Sequence, residues 1–131
     1  MRPRPGEVWR FMFRGRTSEK PKFHLCVNED YRFLLLNTPR LSGHRGDLVI
    51  SNAEVPFLEP TECGNSAISC TLLIELNMSS FLLERPKLKG TVRRETMQKL
   101  VAFLERTQAI TQDERERALD GLYDYYAVAA E

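Results

Sequence analysis

The run at 20–39, KPKFHLCVNEDYRFLLLNTP, constrains the fold more than any other stretch, because it reads as two strands joined by a tight reversal. Phe23, Leu25 and Val27 alternate with Lys22, His24 and Cys26. That alternation predicts a half-buried strand, one face apolar and the other carrying a cation, an imidazole and a thiol. Residues 31–36, YRFLLL, are apolar at nearly every position, as in a strand covered on both sides, and are expected at the centre of a sheet. Asn28, Glu29 and Asp30 supply the polar turn of a hairpin, and Asn37-Thr38-Pro39 ends the second run.

Strand signals recur on both sides of this unit. In EVWRFMF (7–13), Trp9, Phe11 and Phe13 fall on one side at period two, after a basic lead-in whose two prolines resist regular structure, so order is expected from Gly6. The glycine- and proline-bearing segments 14–21 and 39–47 read as exposed loops that carry Arg14, Arg16 and Lys20, and Arg40, His44 and Arg45. Residues 47–50 and 55–58 are short strand candidates, the second an edge at best because of Pro56. ISCTLLIELN (68–77) gives the longest clean alternation.

After Pro86 the period changes. Met97, Leu100, Val101 and Leu104 form one helical stripe with Thr91 as the expected N-cap, and Thr111-Gln112-Asp113-Glu114 has the form of a capping box ahead of Leu119, Leu122, Tyr123 and Tyr126. Strands followed by two helices predict a mainly β, α+β fold, a curled sheet or small barrel with helices packed on it. At 131 residues the chain suits one domain, with a sheet over 6–77 and helices over 91–107 and 112–128.

No apolar run approaches the roughly 18 residues of a membrane span, and MRPRPGEVW lacks the apolar core of a secretory signal, so the expectation is a cytoplasmic protein without a membrane partner. Three cysteines, Cys26, Cys63 and Cys70, are odd in number and lack CxxC spacing, which predicts buried free thiols rather than a disulfide frame or a metal site. The net charge of +1 conceals an asymmetry: residues 1–52 hold ten Lys/Arg against five Asp/Glu, and the rest nine against thirteen. The basic half contains the hairpin, the side to which a polyanion would be drawn.

Gly6-Glu7-Val8-Trp9, a basic loop, a strand beginning beside Pro21, a strand ending at Thr38, the segment 66–76 and GTVRRETMQKL (90–100) follow one another in an order that resembles the PemK/MazF family over about residues 6–107. The resemblance implies an SH3-like barrel of about five to seven strands and a toxin endoribonuclease of a toxin–antitoxin module. Such an enzyme needs no metal or other cofactor, forms a homodimer, and is blocked by a cognate antitoxin. It cleaves single-stranded RNA by attack of the 2′-hydroxyl, leaving a 2′,3′-cyclic phosphate. The family's catalytic hydroxyl corresponds to Thr38. At the place of its catalytic arginine only Lys20 and Lys22 flank Pro21, so the role falls to a lysine, which offers a point charge where arginine offers a fork, or to Arg14 or Arg16 reaching in from the loop.

This chemistry requires a proton carrier and a cation facing the developing phosphorane. His24 is the candidate proton carrier, Lys22 the phosphate-stabilising cation and Thr38 the orienting hydroxyl. Arg14, Arg16, Lys20, Arg40, His44 and Arg45 are the candidate RNA-binding residues. The alternatives are a non-catalytic module of the same kind that binds RNA or a protein, and a purely protein-binding module. Trp9 and Phe11, at period two, are expected in the core rather than on bases.

Overall fold

A computed structural model describes residues 2–12, 20–39 and 43–126. Arg14, Arg16 and Arg40 lie outside them. Among the described residues six strands form one antiparallel sheet: β1 (Glu7–Phe11), β2 (Lys22–Asn28), β3 (Arg32–Asn37), β4 (Asp47–Ser51), β5 (Asn65–Glu75) and β6 (Lys87–Thr91). Three helices accompany it, α1 (Met78–Leu83), α2 (Arg94–Arg106) and α3 (Gln112–Tyr126). The order across the sheet is β4-β5-β3-β2-β1-β6. The hairpin is therefore central, as its composition requires, with Phe23 opposite Leu36 and Leu25 opposite Leu34. The sheet curls until Phe57, beyond β4, presses on Gly90 in β6, where an added Cβ would fall 2.4 Å from the ring. Only glycine fits there.

One face of the sheet is aliphatic. Val8, Leu25, Val27, Leu34, Leu36 and Ile68 bury against Met97, Leu100 and Leu104 of α2 and Ala118 and Leu122 of α3. These helical residues recur at three and four positions, so one stripe of each helix is apolar. Thr111 caps α3, its hydroxyl accepting from the Glu114 amide at 3.2 Å, while Glu114 also accepts from the Leu73 amide at 2.8 Å. A helix cap thus reaches into an irregular stretch of β5. There Phe33 pairs with Ile74 but Leu35 pairs with Ser69, so extra residues bulge out of the ladder.

The other face differs from the expectation of a polar strand surface. Trp9, Phe11, Cys26, Tyr31, Phe33, Leu35 and Ile74 form a second core closed by Phe81 of α1. β2 is buried on both sides, and His24 and Cys26 are both 0 % exposed. Burial pushes both buried thiols up, Cys70 to about 12. Cys63 is exposed, against the expectation of burial, and all three cysteines are free.

Several other expectations are corrected. Residues 55–58 are not a strand; Asn52–Glu54 is a 3₁₀ turn and Pro56 keeps the chain out of the ladder. The sheet does not end at 77, because β6 returns to pair with β1, and Thr91 is its last residue rather than a helix cap. Arg93 occupies the N-cap of α2, with no side-chain hydrogen bond. The lead-in is ordered before Gly6: Pro3 and Pro5 are buried, the Arg4 amide donates to Glu7, and Tyr126 donates its hydroxyl to the Pro5 carbonyl at 2.9 Å.

The turn after β4 carries a buried carboxylate, Glu54. It accepts from the Ser51 amide at 2.8 Å and the Thr96 hydroxyl at 2.7 Å, and pairs with Lys99 at 2.7 Å. Burial by itself raises its pKa, but the bonds from Lys99, Thr96 and Ser51 outweigh that and bring it down to about 2. No helix among the described residues is long and apolar enough to cross a membrane.

Candidate functional site

Three strand ends meet at one edge of the sheet. The antiparallel ladder places the start of β2 beside the end of β3, and the start of β5 beside the same end, since Asn37 pairs with Ala67. The result is a cleft of about 220 Å³ lined by Pro21, Lys22, Phe23, Leu36, Asn37, Thr38, Leu58, Thr61 and Ser66. Phe23, Leu36 and Leu58 form an apolar floor, while Lys22, Asn37, Thr38, Thr61 and Ser66 place a cation, an amide and hydroxyls around it. A hollow of this make-up has the polarity of a phosphate site with room for a stacked or apolar group.

The rim is built by local bonds. Asn37 Oδ1 accepts from the Thr38 amide at 3.0 Å, which turns the chain at the strand end. Across the cleft, Thr61 donates its hydroxyl to the Asn65 carbonyl, and its own carbonyl accepts from Asn52 Nδ2 at 3.0 Å, so the 59–64 turn is tied to the 3₁₀ turn. Cys63 stands beside it, its thiol 3.6 Å from the Thr61 hydroxyl. That contact and a backbone hydrogen bond at Asn65 hold its pKa below the ordinary thiol value. Thr38 is exposed and Lys22 half-buried, and neither side chain makes a hydrogen bond or ion pair among the described residues.

The structure thus brings Lys22 and Thr38 together and places His24 elsewhere. The His24 ring lies in the second core, stacked on Phe11 at 3.8 Å between centroids and edge-on to Phe33 at 6.3 Å. It does not line the cleft, and a proton carrier has to come within hydrogen-bond reach of the atoms it serves. Strand alternation put His24 on the same face as Lys22. The aromatic residues of β1 and β3 and the helix α1 then covered that face. Lys20 is exposed just before the cleft. His44 and Arg45 lie in the turn leading into β4, where Arg45 lines a different hollow together with Phe103 and Arg106.

Asn37, Leu58, Thr61 and Ser66 were missed by sequence reasoning. The available signal was the pairing of the central strand with 68–77, which puts the polar turn before that strand beside Thr38. Among the described residues no three His, Cys, Asp or Glu side chains gather as a metal site needs. Compared with known proteins, the chain matches no family model, no curated protein and no solved structure.

Proposed function

We propose that this chain acts on single-stranded RNA through the cleft at the sheet edge, as a toxin-type endoribonuclease that uses no metal. The observation that carries the reading is the meeting of Lys22, at the start of β2, and Thr38, just past the end of β3, at one open hollow, with neither side chain bonded among the described residues. The Lys22 ammonium faces the phosphate and offsets the charge that builds when the substrate's 2′-hydroxyl, giving its proton to water, attacks phosphorus and the 5′-oxygen leaves, taking a proton from water. The Thr38 hydroxyl orients a non-bridging oxygen, and the floor of Phe23, Leu36 and Leu58 receives the face of a neighbouring base. A homodimer and a cognate antitoxin belong to the same reading. Met78, Leu82, Leu83 and Leu88, all large apolar side chains left exposed, support such contacts.

A second reading is favoured by the burial of His24. Without a near-neutral proton carrier lining the cleft, the site holds RNA and does not cut it. Incubation of the purified protein with a long RNA in EDTA separates the two. Fragments with 5′-hydroxyl ends, reduced about 100-fold by Lys22→Ala and by Thr38→Ala in folded protein, support cleavage. Salt-sensitive binding of intact RNA, weakened by the same substitutions, supports the second reading. Intact RNA with no binding sinks both.

A further inference from the structure

At the far end of α2, away from the cleft, a hollow of about 300 Å³ is lined by Arg45, Phe103, Arg106, Thr107 and Gln108. Its two guanidiniums come from distant parts of the chain, one from the turn before β4 and one from the last turn of a helix. Neither is bonded to protein among the described residues. Arg32, Arg94, Arg115 and Arg117, by contrast, all commit donors to carbonyls or carboxylates of the chain. Among the described residues no Asp or Glu lines the hollow.

Arg45 is held in place rather than carried on a loose loop. The Asp47 amide donates to the His44 carbonyl and the Gly46 amide to His44 Nδ1, each at 3.0 Å, and the Gly46 carbonyl accepts from the Cys70 amide at 2.7 Å. Gly46 is pressed so closely onto the turn between α2 and α3 that an added Cβ would lie 2.8 Å from the Ala109 side chain and 2.4 Å from that of Thr71. The turn therefore fixes Arg45 against residues 107–110. Around the helix end, the Phe103 carbonyl accepts from the Thr107 amide at 2.9 Å and the Thr107 carbonyl from the Arg115 guanidinium at 2.9 Å. A third cation thus backs the hollow. The half-buried Phe103 ring lines the same hollow as the two free guanidiniums.

We propose that this hollow is a nucleotide-binding subsite, with a base stacked on Phe103 and its phosphate held between Arg45 and Arg106. Paired guanidiniums match the oxygens of a phosphate, and an aromatic ring accepts any base by its π-face. Gln108 and Thr107 add polar edges for the ribose or base. As a second hold on an RNA strand the subsite rests on the RNA reading of the cleft; as a mononucleotide site it does not.

The test is an amide chemical-shift titration of the full chain with adenosine 5′-monophosphate, and separately with adenosine, inorganic phosphate and phosphotyrosine. The expected result is shifts at 44–46 and 103–109, with the nucleotide at least about 10-fold tighter than adenosine or phosphate alone. Arg45→Ala with Arg106→Ala should weaken the nucleotide about 10-fold or more, and Phe103→Leu should bring it down to the affinity of phosphate. Trp9 emission, from the opposite face of the sheet, verifies that the variants are folded. No shifts at these amides, shifts confined to the cleft, or phosphotyrosine binding as tightly as the nucleotide would each overturn the assignment. Binding here alongside an RNA-inert cleft would retain the subsite and remove only the RNA reading.

Discussion

The two faces of the sheet are built on different plans. The aliphatic face is covered by two helices of 13 and 15 residues, one burying Met97, Leu100, Val101 and Leu104 and the other Ala118, Leu119, Leu122 and Tyr126. The aromatic face depends on a six-residue helix that places one ring, Phe81, within 5.3 to 5.7 Å of Trp9, Phe11, Tyr31 and Phe33. A helix that short has no stability of its own in water, so α1 persists only because its side chain is clasped. The many contacts of the first face share a load that on the second falls on a single residue.

Phe81→Ala breaks that asymmetry most directly. It should cost about 4 kcal/mol, against about 3 kcal/mol for Leu100→Ala on the aliphatic side, as measured by urea unfolding. Trp9, the only tryptophan, lies on the aromatic face, so its emission should shift to longer wavelength in the folded Phe81 variant and stay in place in the Leu100 variant. Equal shifts would mean that the two cores are not separate.

Next in size is the ion pair under the aliphatic face. The folded Glu54 carboxyl has a pKa of about 2, below its ordinary 4.5. Its contribution, about 3 kcal/mol, is therefore complete above about pH 4.5 and disappears as the pH falls toward 2. Glu54→Gln should be less stable near pH 7, and its stability should fall less steeply between about pH 5 and pH 2; parallel curves would remove Glu54 from the acid response.

Gly121→Ala tests how tightly α3 is laid on β2. Alanine normally strengthens a helix interior by about 1 kcal/mol over glycine. Here the new Cβ would stand 2.3 Å from the Val27 carbonyl oxygen, a backbone atom that cannot step aside. A loss of about 2 kcal/mol in thermal or urea unfolding is expected, and a gain would show that the helix floats above the strand. The smallest effect belongs to Leu72→Ser. Strand alternation sends Leu72 inward with Cys70 and Ile74, but the bulge turns it out to 50 % exposure, so the change should stay within about 0.5 kcal/mol.

The same contrast explains what the sequence made legible. The central hairpin, the two closing helices and the capping box at Thr111 follow from periodicity, which reports burial on one side of a regular element. β6 escaped because KLKGT is an exposed edge with a glycine and no alternation. α1 escaped because MSSFLL is too short to show a period and its cap, Asn77, ends what reads as a strand. His24 was misplaced for a related reason. Its residue type suggested a wet face, and only the arrival of Phe81 from a distant segment makes that face dry. Lys22 and Thr38 met as expected because strand pairing, a backbone property, governs both.

The bond from Tyr126 to Pro5 joins residues 121 apart in the chain. Such a contact cannot form until residue 126 has been synthesised, so during translation β1 and the turn before it wait for that cover. A nascent chain that has not yet released residue 126 keeps the Pro5 carbonyl in water and Gly6 without the ring that lies over it. The turn before β1 thus takes its last cover from the end of α3.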